Sequence, residues 1–156
     1  AERLVGFCSI NPLWGEEAIR EIERCITAGL KGIGELHPDT QDLDITNKEI
    51  MEPVMNPALR LGLPVVIHSS EPVGHSYPGK GNTTPDKLLA FINNFPNNKI
   101  ICAHWGGGLP FYDLMPEVNE NLKNVYFDTA ASPFLYDQRI FNVVSSLTSP
   151  DRKSVV

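Results

Sequence analysis

The chain has 156 residues, 42% of them hydrophobic, with 13 Lys and Arg against 19 Asp and Glu for a formal net charge of −6. That length supports one domain with a real core and is short for two. Nucleic-acid partners are excluded, because no Lys/Arg cluster offers the concentrated positive patch they require, and no apolar stretch approaches the roughly 20 residues that span a bilayer.

Five apolar runs recur at intervals of roughly 25 to 35 residues, each followed by a helical pattern, the alternation that implies βαβ units and a parallel sheet. The first strand is expected at 4–9. A helix over 16–28 comes next, with Ile19, Ile22 and Ile26 on one face and Gly29 as its stop. The second strand falls at 32–36. Thr46-Asn-Lys-Glu49 has the form of a capping box, but Pro53 and Pro57 interrupt the residues after it. A short turn and a kinked helix over 53–61 are therefore expected.

The third strand, 64–68, leads into a loop over 69–82 that is long for a βα connection, as binding loops and lids commonly are. Thr84-Pro85-Asp86 starts the next helix, the hydroxyl capping and proline at the first helical position, with Leu88, Leu89, Ile92 and Phe95 facing inward. A fourth strand at 99–104, a helix over 111–122 weakened by Pro116, a fifth strand at 125–129 and a helix over 137–147 complete the order. The near-continuous apolar strands read as covered on both faces. After Ser149-Pro150-Asp151 the chain runs into Arg-Lys-Ser-Val-Val, which reads as the start of a sixth strand. The whole resembles a stretch from the middle of a larger (β/α) protein.

Two histidines carry the functional reading. His68 ends Pro64-Val-Val-Ile-His68 and His104 ends Ile100-Ile-Cys-Ala-His104. Ligands of α/β folds bind outside the carboxyl ends of the strands, so two imidazoles delivered there can converge on one metal ion or one substrate. Taken alone, each imidazole could equally bond a neighbouring carbonyl; two in register favour function. Parallel strands bring further polar groups to the same rim: Glu35 and His37, Trp105, and Asp128 with Thr129. Asp128 either binds, orients a histidine or takes a proton, or it caps the following loop. The long loop adds Glu71, His75, Tyr77 and Lys80.

Gly74-His-Ser-Tyr-Pro-Gly79-Lys80 matches the opening of a phosphate-binding loop, but Gly81 stands where that loop needs a hydroxyl and the helix starts only after Thr84. Gly106-Gly107-Gly108 frees the backbone after His104-Trp105 either to approach a ligand or simply to turn. Trp14 and Tyr136 either wall the pocket or cover its rim. Cys8, Cys25 and Cys102, odd in number and set in apolar patterns, read as buried reduced thiols in a cytoplasmic setting.

Together Pro64-Val-Val-Ile-His68-Ser-Ser, Cys102-Ala-His104-Trp-Gly-Gly-Gly and Tyr126-Phe-Asp128-Thr-Ala-Ala-Ser resemble the amidohydrolase-related group of metal-dependent TIM-barrel enzymes, which includes decarboxylases similar to aminocarboxymuconate semialdehyde decarboxylase. The resemblance implies an α/β fold, a partial (β/α)8 barrel of five units corresponding to its third to seventh strands. It implies a divalent metal ion, zinc foremost with manganese as the alternative, bound by His68. His104 would be a second ligand or a catalytic histidine beside it, and Asp128 a catalytic partner. Glu35 stands where some relatives place a bridging lysine or carboxylate, with His37 the alternative pocket residue of that strand, and Glu35, His37, His75, Tyr77 and Trp105 would face a small carbonyl- or carboxylate-containing substrate.

The His-x-His of the first strand and the aspartate of the eighth, which the group uses for most of its metal shell, do not occur in this sequence. The resemblance thus predicts little turnover by these residues alone. Two other readings remain at this point: an α/β domain that associates with another copy through open sheet edges, and a small flavodoxin-like domain, for which five parallel strands suffice.

Overall fold

The computed structural model describes residues 4–148. Its centre is one parallel sheet of β1 (Phe7–Cys8), β2 (Gly32–Leu36), β3 (Val65–Ile67), β4 (Ile100–Cys102) and β5 (Val125–Phe127), arranged in the order β1-β2-β3-β4-β5. Each strand pairs with its neighbour in sequence, and the order never reverses. A flavodoxin-like sheet runs 2-1-3-4-5, so that alternative is excluded, and a progressive sheet is the topology of a barrel segment.

The strands are shorter than the apolar runs suggest, and they alternate. In β3, β4 and β5 the outer two residues are buried and the middle one is half-buried. Val66, Ile101 and Tyr126 occupy these middle positions and are in register across the sheet. One face is therefore sealed by Val65, Ile67, Ile100, Cys102, Val125 and Phe127, while the other is open in part, which corrects the expectation of strands covered on both faces.

Helix α1 (Glu16–Thr27) has Glu16 and Glu17 at its positive end and Arg24 near its negative end, a favourable match to the helix dipole. Its buried face is Ala18, Ile22 and Cys25, rotated by about one residue from the isoleucine stripe expected on helical spacing. Gly29 then takes φ +102°, the left-handed region that glycine enters without a Cβ clash. After the short α2 (Pro38–Gln41), α3 (Lys48–Leu61) contains both Pro53 and Pro57. The prolines do not delay it as expected: Met51, Val54, Met55 and Ala58 bury one continuous face, and Asn47, not Thr46, caps the first turn through a 3.0 Å bond from the Glu49 N–H.

Helix α4 (Pro85–Asn94) starts where the sequence places it, but the Thr84 hydroxyl donates to the Asp86 carboxylate instead of capping the backbone. The single helix expected over 111–122 does not form. Irregular 3₁₀ turns run to Leu114, then α5 (Pro116–Asn119) begins with Pro116 at its first position, and a 3₁₀ turn follows at Glu120–Leu122. Proline is compatible with a helix start and not with its interior, so the break falls there. Finally α6 (Ser132–Leu135) and α7 (Ile140–Leu147) follow β5, the latter starting three residues later than expected. The sixth-strand reading of the last residues lies outside the described ones.

Candidate metal centre

Strand β2 carries an irregularity that decides the site. Ile33 pairs with Val65 and Leu36 with Ile67, so three steps on β2 oppose two on β3. An extra residue of this kind re-aims side chains, and it stands beside Gly34, whose φ of +122° and close approach to the Val66 carbonyl admit no Cβ. Glu35 emerges at this point and meets the histidines of β3 and β4.

The Glu35 Oε1 lies 2.9 Å from His68 Nδ1 and 3.7 Å from His104 Nε2. One ligand atom from each of the three residues lies within 4.8 Å of the others, and among the described residues this is the one such group of His, Cys, Asp or Glu. Ligand atoms about 2.0–2.1 Å from a tetrahedral ion stand about 3.4 Å apart, a spacing that the two Glu35 distances bracket. Burial pushes the Glu35 carboxyl up, but the hydrogen bond with His68 and the attraction of His68, His104 and His37 outweigh it and hold the group below the usual carboxylate range. The anionic form, the one that ligates, is thereby favoured.

Each histidine is fixed from behind. The Nδ1 of His104 faces the Ala130 carbonyl at 3.1 Å, which as a donor bond leaves Nε2 with its lone pair toward Glu35. His104 itself sits at φ +53°, followed by Trp105 at +58°. For residues with a Cβ, each such position costs about 1–3 kcal/mol. Asp128 opposes that cost: its Oδ1 accepts from the backbone N–H of His104 at 2.9 Å and of Ala130 at 3.0 Å. The His68 ring stacks on His37 at 4.0 Å and 17° and meets His104 edge-on at 5.0 Å. His37 in turn lies 3.0 Å from the Thr40 hydroxyl through Nδ1 and 3.1 Å from the Gly79 carbonyl through Nε2.

A cavity of about 600 Å³ opens over this cluster. Glu35, His37, His68 and His104 line it with His75 and Tyr77 from the 69–82 loop, whose rings are 5.5 Å apart, and with Phe134 from α6. The structure therefore brings six of the residues singled out in the sequence to one cavity. It places Trp105 and Asp128 elsewhere. Trp105 is buried in the core, its indole N–H donating to Ser132 Oγ at 2.8 Å, and Asp128 is buried behind His104 with its Oδ1 occupied by backbone amides. Lys80 donates to the Val73 and His75 carbonyls at 2.7 and 3.2 Å and so staples its own loop, in keeping with the rejection of a phosphate loop.

The role of Ser70 and the tie made by Glu71 were not foreseen in the sequence. Ser70, directly after the His68-Ser pair, is fully buried beside the His68 ring. Glu71 accepts from Tyr136 at 2.7 Å and Tyr77 at 3.3 Å, tying the 69–82 loop to the segment after β5. A hydroxyl two residues beyond a strand-end histidine was the available signal for the first; the second joins residues 65 positions apart and leaves no local trace.

No curated protein matches the chain. A solved structure described as the crystal structure of amidohydrolase II aligns over 97% of this chain and 56% of its own, with a TM-score of 0.65 and 17% identity. The chain thus spans little more than half the length of that structure, and at this identity the likeness concerns the fold. A family model described as Amidohydrolase matches residues 1–152. With nearly every residue inside that match, and five parallel βα units in sequential order beneath it, the chain belongs to the amidohydrolase family.

Proposed function

We propose that Glu35, His68 and His104 hold a divalent metal ion, and that the chain carries this part of the active centre of a metal-dependent hydrolase. The observation that carries the reading is the convergence of one carboxylate and two imidazoles from three adjacent strand ends on a common point. Two imidazole nitrogens and one carboxylate form a zinc-type donor set, with manganese as the alternative. A bound ion of this kind supplies Lewis acidity and a water of lowered pKa.

The chain's own residues do the rest. Glu35 and His68 would face the ion, and His104 would offer it Nε2, the nitrogen that the Nδ1 contact with the Ala130 carbonyl leaves with a lone pair. Asp128 keeps His104 in its left-handed backbone position. His75, Tyr77 and Phe134 receive the body of a small carbonyl- or carboxylate-containing molecule. The shared hydrophobic core supports reading the chain as one domain, and the three buried free thiols support a reducing, cytoplasmic compartment. Among the described residues no helix is long and apolar enough to cross a membrane. A decarboxylase of the aminocarboxymuconate semialdehyde type would use the same groups, and release of carbon dioxide instead of a hydrolytic proton distinguishes it.

Isothermal titration of the chain with zinc, and separately with manganese, tests the reading. One ion per chain is expected, with binding lost in His68→Ala and weakened in Glu35→Gln, whose side chain is 39% exposed and tolerates exchange without unfolding. Undiminished binding in both variants would remove these ligands from the account.

A further inference from the structure

His68 is held in its plane by the stacked His37 ring and by the edge of His104. Stacking is blind to a half-turn about the Cβ–Cγ bond, which exchanges Nδ1 with Cδ2 and Nε2 with Cε1. A ligand histidine needs its non-ligating nitrogen engaged, because that bond fixes both the ring flip and the tautomer. The partner here is Ser70, whose Oγ lies 3.3 Å from His68 Nε2.

The same oxygen closes the 69–82 loop. Gly81 donates its N–H to Ser70 Oγ at 3.0 Å, while the Ser70 N–H donates to the Thr83 carbonyl at 2.9 Å. Both ends of the loop therefore meet at one buried serine. The fit is tight: the backbone of Ser70 presses on Gly107, where a Cβ would come within 2.4 Å of the Ser70 carbonyl oxygen. A serine oxygen has two lone pairs, so Ser70 Oγ has room for the loop N–H and, in the Nε2–H tautomer, for the imidazole as well.

Resting on the metal-centre reading above, we infer that Ser70 is a positioning residue that joins the 69–82 loop to the metal ligand His68, accepting from Nε2–H when an ion takes the place of the proton that Nδ1 shares with Glu35. Loop closure and ligand orientation then share one hydroxyl. The loop that carries His75 and Tyr77 over the cavity is set by the same contact that sets the ligand.

The test combines zinc titration with ¹⁵N spectra of the imidazoles and amide hydrogen exchange of the loop, on wild type, Ser70→Ala, Ser70→Cys and Asp39→Ala. Asp39 accepts from the Asn82 N–H at 2.8 Å and so holds the loop without touching His68. Zinc-loaded wild type should show His68 protonated on Nε2. Ser70→Ala should weaken zinc by about ten- to a hundred-fold, the usual effect of removing the group behind a ligand, and speed exchange over 71–81. Ser70→Cys fills the site with a slightly larger group that is a weak acceptor and should fall between, which preserves the test if the alanine variant folds poorly. Asp39→Ala should speed loop exchange and leave zinc affinity unchanged.

Wild-type zinc affinity in Ser70→Ala and Ser70→Cys, with zinc still lost in His68→Ala, would overturn this inference and leave the metal centre standing. Equal loss of zinc in Asp39→Ala would also overturn it, by showing that loop order alone governs affinity. Absence of zinc binding by the wild-type chain would overturn both.

Discussion

At the residue scale the site depends on how each imidazole is backed. His104 stands in a left-handed backbone conformation that Asp128 stabilises through two amide bonds. Asp128→Asn keeps the shape but replaces charge-assisted bonds with neutral ones, and it should lower stability by about 1–2 kcal/mol in urea denaturation, with a smaller loss of zinc affinity than in Glu35→Gln. Were Asp128 itself a ligand, the two variants would lose zinc equally. His68 and His104 were legible in the sequence because an apolar run followed by an imidazole is a local pattern. The placement of Asp128 was not, since the His104 amide it holds lies 24 positions away.

At the scale of elements, the loops around the cavity are tied across long stretches of chain. Tyr136 bonds Glu71 and is 65 residues from it. Burial first, and then the Glu71 carboxylate, raise the Tyr136 phenol above its ordinary value of 10, and the same causes raise Tyr77. A group raised in the folded state adds stability that is present in full below the ordinary value and is lost as the pH rises through the folded one. Wild type should therefore lose stability above about pH 10 more steeply than Tyr136→Phe, as followed by urea midpoints between about pH 8 and 11; identical slopes would contradict the tie. Gly107, at φ +59° against the Ser70 backbone, admits no side chain. Gly107→Ala should destabilise by about 2–5 kcal/mol, measured by the same denaturation.

The elements themselves were largely legible, because five apolar runs and their helical partners are periodic over short windows. What escaped was context. Two prolines were read as delaying α3, whereas its buried face carries the helix through them; Pro116, read as a flaw inside one helix, is the start of another. The irregularity in β2 that aims Glu35 rests on a glycine within a strand, a sequence signal that is specific only once the neighbouring strand is known.

At the scale of the whole molecule, among the described residues β1 is bonded only to β2 and β5 only to β4. Leu4 and Val5 lie beside the first edge at 81% and 67% exposure, and the row Val66, Ile101 and Tyr126 is open in part. Unpaired parallel edges next to apolar surface favour association. Sedimentation velocity of this chain should show a mean mass that rises with concentration, reduced in Val5→Lys, and a mass constant over that range would contradict an accessible edge. The central claim, that Glu35, His68 and His104 form one metal centre, is tested most directly by anomalous diffraction at the zinc edge from zinc-soaked crystals. A single peak should lie about 2.0–2.2 Å from Glu35 Oε1, His68 Nδ1 and His104 Nε2. A peak elsewhere on the chain, with none between the two imidazoles, would contradict it.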